Sequence, residues 1–154
     1  MSLLAGLGLL YIADIAIAAE GTKFATGFGK IGISGDCGTS WFLPRLIGVR
    51  RATEMYLEDR VILADTAAEW GLVNRVVAAE ALAEEAETTA RRLAAGPTRA
   101  YGAIRRLLRE SGNSTLAEQL AAATDALRYT AATADAPAAV ASFLAKRRPT
   151  FEGK

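Results

Sequence analysis

A single acid stands among glycines in the segment KIGISGDCGTSWFLPRLIG, residues 30–48. Asp36 lies between Gly35 and Cys37, just ahead of an apolar run that is typical of a helix. The spacing leaves two interpretations open. A carboxylate at a helix N-terminus can accept backbone N–H groups and stabilise the helix by about 1 kcal/mol. A carboxylate in an apolar pocket has a raised pKa instead, and it can move a proton at carbon.

The composition excludes several other catalytic groups. The chain of 154 residues contains no histidine, which excludes a Ser-His-Asp triad, a histidine base and histidine-bound zinc within it. Its one cysteine, Cys37, excludes an internal disulfide and a thiolate metal cluster, so we expect no metal site. Acid–base chemistry must then come from Asp, Glu, Lys or Tyr, or from another chain. We expect a reducing, cytoplasmic setting.

Charge and hydropathy limit the partners. With 18 basic and 17 acidic residues, the net charge is +1 and no basic block is present, so we expect no nucleic acid. The stretch Leu3–Ala19 is long and apolar, but no basic residue precedes it and Asp14 interrupts it. Such a stretch suits a turn, a short helix and a buried strand better than a signal peptide or a membrane span. We therefore expect no membrane partner.

Two halves differ in composition, and we expect them to form one continuous domain. Residues 1–78 alternate short strands and helices, which predicts an α/β core, whereas residues 79–154 are alanine-rich and helical. One helix of the second half is expected to open at Ser114, with Glu118 close to the capping-box offset. The elements expected in the first half are strands over Ile15–Ala18, Lys23–Ala25, Arg60–Leu63 and Val73–Val77, and helices over Gly38–Ile47, Arg50–Glu58 and Ala64–Trp70.

Several segments together resemble the enoyl-CoA hydratase/isomerase family, the crotonase superfamily. They are AGLGLLYIADIAIA, KFATGFGKIGI, GTSWFLPRLIG, WGLVNRVV and the terminal FLAKRRPTFEGK, and the similarity runs from Ala5 to the end. The resemblance implies a spiral core of ββα units, followed by a C-terminal helical region that mediates assembly into a homotrimer or hexamer. It also implies that this chain is only the C-terminal portion of that fold, with the N-terminal half missing.

The resemblance implies acyl-CoA thioester substrates, with no cofactor beyond the coenzyme A of the substrate. In the family, two backbone N–H groups form an oxyanion hole for the thioester oxygen, and here the second donor is the N–H of Ala5. The first donor belongs to the part that is expected to be missing. Phe143 and Lys146, one helical turn apart, are expected to share a face and to contact CoA. The residues expected to line the substrate pocket are Gly6, Phe24, Phe28 and Ile33.

The resemblance also bears on the reaction. Gly8 and Phe28 stand at the positions of the two hydratase glutamates, so we expect no hydration by that pair. Asp36 stands where the family has an acid in ring-epoxide and dienoyl-CoA isomerases, and the nucleophile in a chlorobenzoyl-CoA dehalogenase. We therefore expect double-bond or ring isomerisation through a thioester enolate, with Asp36 as acid and base. The alternatives are a hydrolase or dehalogenase with Asp36 as nucleophile, or a non-catalytic, truncated protein that binds CoA or only assembles.

Overall fold

A computed structural model describes residues 2–3 and 5–154, with side chains from Gly6 onward. In this part of the chain, short strands and helices alternate before a run of helices. The strands are β1 (Ser2–Leu3), β2 (Ile17–Ala19), β3 (Lys23–Ala25), β4 (Ile62–Leu63) and β5 (Arg75–Val77). The helices are α1 (Ala5–Ile12), α2 (Thr39–Ile47), α3 (Val49–Leu57), α4 (Ala64–Trp70), α5 (Leu82–Ala94), α6 (Thr98–Glu110), α7 (Leu116–Ala131) and α8 (Asp135–Leu144).

The first compact unit covers residues 1–86 and contains two small sheets. In one sheet β3 lies between β1, to which it is parallel, and β4, to which it is antiparallel. In the other sheet β2 is parallel to β5. The Asn74 side chain accepts a hydrogen bond from the N–H of Ala16, and the Asn74 N–H donates to the Ala16 carbonyl. These two hydrogen bonds lie just before the first β2–β5 residue pair, and one of them uses the Asn74 side chain in place of a backbone carbonyl. The strand β2 therefore begins at Ile17 and not at Ile15.

The helices of the first unit pack on these strands through one apolar core. The side chains of Leu7, Leu43 and Met55 have no exposed surface, and they come from α1, α2 and α3. Leu43 and Ile47 are four residues apart in α2, so they lie on the same helix face and both enter the core. The core consists of Leu7, Tyr11, Ala18, Phe24, Leu43, Ile47, Ala52, Met55, Ile62, Ala64, Ala67, Leu72 and Val73.

The second compact unit covers residues 87–154 and contains helices only. The predicted start of α7 at Ser114 is wrong by one residue, because the N-cap is Thr115. From that position the Thr115 hydroxyl accepts from the Glu118 N–H, while the Glu118 carboxylate accepts from the Thr115 N–H at 2.8 Å. This reciprocal pair needs a spacing of three residues, which Ser114 and Glu118 do not have.

The apolar stretch near the N-terminus does not form one long helix. Helix α1 has eight residues, and β2 follows after a short break. In the part of the chain that the structure describes, none of the helices has both the length and the apolar character needed to span a membrane.

Candidate functional site

Helix α1 begins at Ala5, the residue expected to act as an oxyanion donor. Ala5 is the first residue of the helix, so its N–H belongs to the first turn, where backbone N–H groups have no partner within the helix. Such N–H groups and the helix dipole together favour negative charge. Leu7 and Tyr11 are buried and fix α1 to the core. The amide of Ala5 is therefore carried by a helix that is anchored by its own apolar face.

The Asp36 loop, residues 32–38, follows a path that depends on glycine at position 35. Gly35 has φ of 101°, a left-handed conformation that side chains rarely adopt. A Cβ placed on Gly35 would lie 3.1 Å from both the Phe28 ring and the Tyr56 hydroxyl oxygen. Glycine is thus required both by the backbone angle and by the lack of space. It allows the loop to lie directly on Phe28 and Tyr56.

The Asp36 loop also packs against α1. A Cβ placed on Gly8 would lie 2.7 Å from the Cβ of Cys37, which is too close for any side chain at position 8. Gly8 follows Ala5 by three residues, which is about 4.5 Å along the helix axis. The fold therefore places the residue after Asp36 against α1, at a point three residues along the helix from Ala5. Position 8, where the resemblance places a hydratase glutamate, is closed by Cys37.

The capping interpretation of Asp36 is wrong. The N-cap of α2 is Gly38, two residues later, and it has no side chain with which to cap. Asp36 contributes only its backbone carbonyl, which accepts a hydrogen bond of 3.0 Å from the Thr39 N–H. Among the described residues, the carboxylate of Asp36 takes no part in holding the helix, and the residue is exposed. This leaves the carboxylate available for chemistry.

Cys37 is a neutral thiol beside that carboxylate. Its side chain is exposed, and a hydrogen bond to Asp36, together with burial and the charge of that carboxylate, raises the pKa of the thiol. A raised pKa lowers the fraction of thiolate near neutral pH, and the thiolate is the nucleophilic form. Cys37 is therefore poorly suited to nucleophilic catalysis, and Asp36 remains the reactive candidate in the loop.

The four predicted pocket residues differ in their surroundings. Phe28 is buried beneath Gly35, so it lies next to the Asp36 loop. Gly6 lies half-buried in the first turn of α1. Phe24 is 2% exposed and belongs to the core, whereas the Ile33 side chain is 54% exposed. The structure thus places Phe28 and Gly6 beside the elements that carry Asp36 and Ala5, while Phe24 supports them from the core.

Three hydroxyl groups below the Asp36 loop were not predicted from the sequence. They belong to Tyr11, Thr39 and Tyr56, which come from α1, α2 and α3. The tyrosines stand at positions that are typical of core residues in amphipathic helices, so the periodicity of the sequence alone does not indicate a polar cluster. Burial raises the pKa of both tyrosines, and the pKa of Tyr56 is raised further by the charge of Asp36. The cluster therefore extends the site from the surface into the core.

The predicted shared face of Phe143 and Lys146 is wrong, because α8 ends at Leu144. Lys146 has φ of 54°, and its N–H donates to the Phe143 carbonyl while the Arg147 N–H donates to the Ser142 carbonyl. This is the Schellman arrangement, which turns the chain away from the helix axis. The Phe143 side chain is 79% exposed. Neither residue lines the cavity of about 270 Å³ in the second unit, which the starts of α6 and α8, the end of α7 and Phe151 enclose.

Comparisons with known proteins agree with this fold. The family model of enoyl-CoA hydratase/isomerase matches residues 1–154. The 1,2-epoxyphenylacetyl-CoA isomerase of Escherichia coli (strain K12) is 41% identical over 150 residues, which cover 97% of this chain and 57% of the isomerase. The 4-chlorobenzoyl coenzyme A dehalogenase-1 of Arthrobacter sp is 38% identical over 111 residues, which cover 72% of this chain and 40% of the dehalogenase.

A solved structure described as an enoyl-CoA hydratase/isomerase from Mycobacterium abscessus superposes with a TM-score of 0.96 and 44% identity, covering 99% of this chain and 59% of that one. This likeness confirms the predicted α/β fold class. The chain covers 57% of the isomerase and 59% of the Mycobacterium abscessus structure, and its match to the dehalogenase covers 40% of that protein. The family match runs from the first residue of the chain to the last, so it does not confirm the expectation of a C-terminal portion with its N-terminal half missing.

Proposed function

Because the chain belongs to the enoyl-CoA hydratase/isomerase family, we propose that it isomerises a double bond or a ring of an acyl-CoA thioester. Asp36 moves the proton, and the N–H of Ala5 holds the thioester oxygen. One observation carries the proposal. The Asp36 loop, whose carboxylate does not cap α2, packs on α1 through the contact of Cys37 with Gly8. Gly8 lies about one turn from the N-terminus of α1.

The reaction needs only one base and one anion site. In double-bond isomerisation the Asp36 carboxylate takes a proton from the α-carbon of the thioester, and the electron pair of that C–H bond moves to the thioester oxygen. The enolate then reforms its carbonyl, and the protonated Asp36 returns the proton to another carbon. The proton removed is the proton returned, so the product is an isomer of the substrate. General acid–base catalysis of this kind contributes about 10²–10⁴-fold in rate.

The N-terminus of α1 suits the anion that this path creates. A backbone N–H aimed at the thioester oxygen stabilises the enolate more than the neutral carbonyl, and one such donor is worth about 2.7–4 kcal/mol. The helix dipole acts in the same direction. Because Leu7 and Tyr11 anchor the helix in the core, the amide of Ala5 needs little reorganisation when the charge develops.

Two further observations favour isomerisation over hydration. Position 8 has no room for a glutamate, since Cys37 fills the adjacent space. Phe28, at the other glutamate position, is 3% exposed and has no ionisable group. Delivery of water across a double bond by a glutamate pair therefore has no residues to perform it at these positions. The proton transfer that remains possible is the one through Asp36.

A second candidate function is displacement with Asp36 as the nucleophile. The similarity to the dehalogenase-1 of Arthrobacter sp favours it, as does the exposure of the carboxylate. In this path a carboxylate oxygen bonds to the substrate carbon, the leaving group departs, and water then cleaves the new ester at the carboxyl carbon. A single turnover in ¹⁸O-labelled water would leave the label in Asp36, whereas isomerisation would leave none. Peptide mass spectrometry distinguishes the two paths.

The acyl-CoA partner and the assembly are part of the same proposal. The substrate supplies its own coenzyme A, and no separate cofactor is needed for the proton transfer. We propose that Phe143 and Lys146 contact the CoA moiety, each from its own position at the end of α8. Large apolar side chains such as Leu120, Leu127 and Val140 are exposed in the second unit and suit assembly as a trimer or hexamer. Light scattering during gel filtration would measure the mass of the assembly.

The test of the proposed function is turnover of a panel of enoyl-, dienoyl- and aryl-CoA thioesters. We expect Asp36→Asn to reduce turnover of the accepted substrate at least about 100-fold, since an amide cannot act as the base. The variant should keep its circular dichroism spectrum, because Asp36 does not cap α2.

Asp65→Asn, at another exposed acid in the first turn of α4, is the matched control and should keep full turnover. Full turnover by Asp36→Asn would contradict the proposal. Binding of CoA thioesters without turnover of any of them would favour the non-catalytic alternative.

A further inference from the structure

Three hydroxyl oxygens are buried together below the Asp36 loop. They are the phenol oxygens of Tyr11 and Tyr56 and the hydroxyl oxygen of Thr39, and within the described part of the chain none has a hydrogen-bond partner of good geometry. Thr39 has no exposed surface, and Tyr11 is 6% exposed. Buried polar groups are rarely left without partners, because the lost hydration costs free energy that only a hydrogen bond recovers. Three such groups in one place therefore call for a common explanation.

The three hydroxyls are neighbours, and that of Tyr56 lies against Gly35, the residue before Asp36. Burial raises the pKa of both tyrosines, and the Thr39 hydroxyl acts against this rise in each of them, so it lies within reach of both phenols. The charge of Asp36 raises the pKa of Tyr56 further. The Tyr56 oxygen also lies 3.1 Å from the Cβ position of Gly35, the residue before Asp36. Of the three hydroxyls, that of Tyr56 is therefore the one beside the Asp36 loop.

We propose that Tyr56 is a positioning residue that donates a hydrogen bond to the Asp36 carboxylate, and that Thr39 and Tyr11 orient it. Rotation of the hydroxyl hydrogens, with small movements of the side chains, joins the groups into one chain of hydrogen bonds. The direction of the chain is fixed because a carboxylate can only accept. Tyr11 donates to Thr39, Thr39 donates to Tyr56, and Tyr56 donates to Asp36. This one arrangement gives all three buried oxygens a partner.

Such a chain determines where the carboxylate points. An exposed carboxylate without a fixed donor can turn to bulk water, or to the thiol of Cys37, which already bonds to it. A phenol anchored by a buried threonine holds it on the inner side of the loop, the side that packs on α1. Hydrogen bonds in a chain polarise one another, so the inner two groups strengthen the outer one. This inference rests on the proposed function, since it assigns Tyr56 to the acid that moves the proton.

Cys37 provides a direct probe of the Asp36 carboxylate. It is the only cysteine in the sequence and its side chain is exposed, so iodoacetamide labels one site. The rate of labelling across pH gives the thiol pKa, because the thiolate is the form that reacts. Asp36→Asn should lower that pKa and speed labelling several-fold at pH 7, since it removes the negative charge that raises the pKa and replaces the carboxylate with a weaker, neutral acceptor.

The decisive variant is Tyr56→Phe, which removes one oxygen and keeps the ring. We expect it to raise the thiol pKa and to slow labelling several-fold, because the carboxylate loses its donor and bonds more fully to the thiol. In the Asp36→Asn background, Tyr56→Phe should leave the thiol pKa and the labelling rate unchanged, so the effects of the two substitutions are not additive. Tyr101→Phe, at a half-exposed tyrosine of α6, is the matched control and should leave the labelling rate unchanged.

Variants at Thr39 test the inner part of the chain. Thr39→Val keeps the shape but loses the hydroxyl, and it should shift the thiol pKa in the same direction as Tyr56→Phe by a smaller amount. Thr39→Ser keeps the hydroxyl and should restore the original value. If circular dichroism shows that Tyr56→Phe is unfolded, the two Thr39 variants still test the chain of hydrogen bonds.

The proposal is overturned if Tyr56→Phe leaves the thiol pKa unchanged, or shifts it equally with and without Asp36. It is also overturned if Thr39→Val and Thr39→Ser give the same thiol pKa for Cys37. Labelling needs no substrate, so it decides the Tyr56–Asp36 contact even if Asp36→Asn retains full turnover and the proposed function fails. Where turnover is measurable, Tyr56→Phe should lower kcat several-fold without raising KM, as expected for a group that positions a base.

Discussion

Two aspartates, one in each compact unit, use their carboxylates in opposite ways. Asp36 lies in a loop of the first unit, is exposed, and leaves its oxygens free of backbone N–H groups among the described residues. Asp135 begins α8 in the second unit and is 8% exposed. Its two oxygens accept hydrogen bonds from the N–H groups of Glu152 and Gly153, at 2.8 and 2.9 Å.

The difference separates a structural carboxylate from the one that we propose for catalysis. The oxygens of Asp135 are occupied by backbone donors and tie the C-terminal segment to the start of α8, so that carboxylate is structural. The loop around Asp36 is held by other means, namely the contact of Cys37 with Gly8 and the contact of Gly35 with Phe28 and Tyr56. The contacts that hold this loop therefore do not involve the Asp36 carboxylate.

The largest stability effect is expected at Asp135. Asp135→Ala removes two charge-assisted hydrogen bonds and leaves two backbone N–H groups without their acceptor. Each such bond is worth about 1.5–3 kcal/mol, so we expect a loss of about 3 kcal/mol or more. For a chain of this size, this corresponds to a fall in Tm of roughly 6–12 °C. Thermal unfolding followed by circular dichroism measures it.

Asp125→Ala is the control for that measurement. Asp125 is an exposed acid of α7 that pairs with Arg128 at 3.4 Å, and a surface ion pair of this kind contributes about 0–1 kcal/mol. Asp36→Asn should also leave Tm nearly unchanged. If Asp36→Asn and Asp135→Ala destabilised the protein equally, the distinction between the two carboxylates would not hold.

A smaller effect is expected when the packing of the Asp36 loop is disturbed. In Gly8→Ala the new Cβ meets the Cβ of Cys37 at 2.7 Å, and the loop must move away from α1. Overpacking of this kind costs about 1–3 kcal/mol. A displacement of about 1 Å at a catalytic group can lower turnover about 100-fold, so, if Asp36 acts as proposed, we expect activity to fall more than stability. Urea unfolding and turnover, measured on the same preparation, separate the two effects.

Gly102→Ala provides the matched control, because Gly102 lies inside α6 and a Cβ there meets nothing within 4 Å. Alanine is the better helix former, so this variant should be more stable by roughly 0.5–1 kcal/mol and should keep full turnover. Equal activity of Gly8→Ala and the wild type would show that contact with α1 does not position Asp36.

The smallest effect on stability is expected at Glu118. Its exposed carboxylate accepts a hydrogen bond from a backbone N–H, as the carboxylate of Asp135 does. Its hydrogen bonds from the N–H and hydroxyl of Thr115 lower its pKa. A lowered pKa in the folded state means that the stabilisation is present above the unfolded-state pKa and is lost as pH falls through the folded-state value. We therefore expect Glu118→Gln to have a slightly lower Tm than the wild type at neutral pH. The difference should shrink as the pH falls and the Glu118 carboxylate of the wild type becomes protonated.

Differential scanning calorimetry of both proteins between about pH 3 and pH 7 measures this difference. The comparison between the variant and the wild type cancels the titration of the other carboxylates. A difference in Tm that stays constant over this range would mean that the charge of Glu118 does not contribute to the cap.

Local patterns in the sequence predicted most of the elements. The strand at Lys23–Ala25 and the helix at Ala64–Trp70 have the predicted bounds, because alternation, helical spacing and glycine stops are all local signals. The errors occur where a contact with a distant residue, or one hydrogen bond, decides the boundary. Asn74 delays the start of β2, and the Schellman turn separates Lys146 from the face of Phe143.

The sequence by itself determined the fold class, the family resemblance, the lack of histidine in these 154 residues and the candidacy of Asp36, because each depends on residue types and short spacings. Only the tertiary structure decided that Asp36 does not cap α2, that Cys37 closes position 8, and that three hydroxyls lie below the loop. Tyr11, Thr39 and Tyr56 are far apart in the chain and become neighbours only when three helices pack. Periodicity assigns such residues to the core, but it cannot say which of their polar atoms meet there.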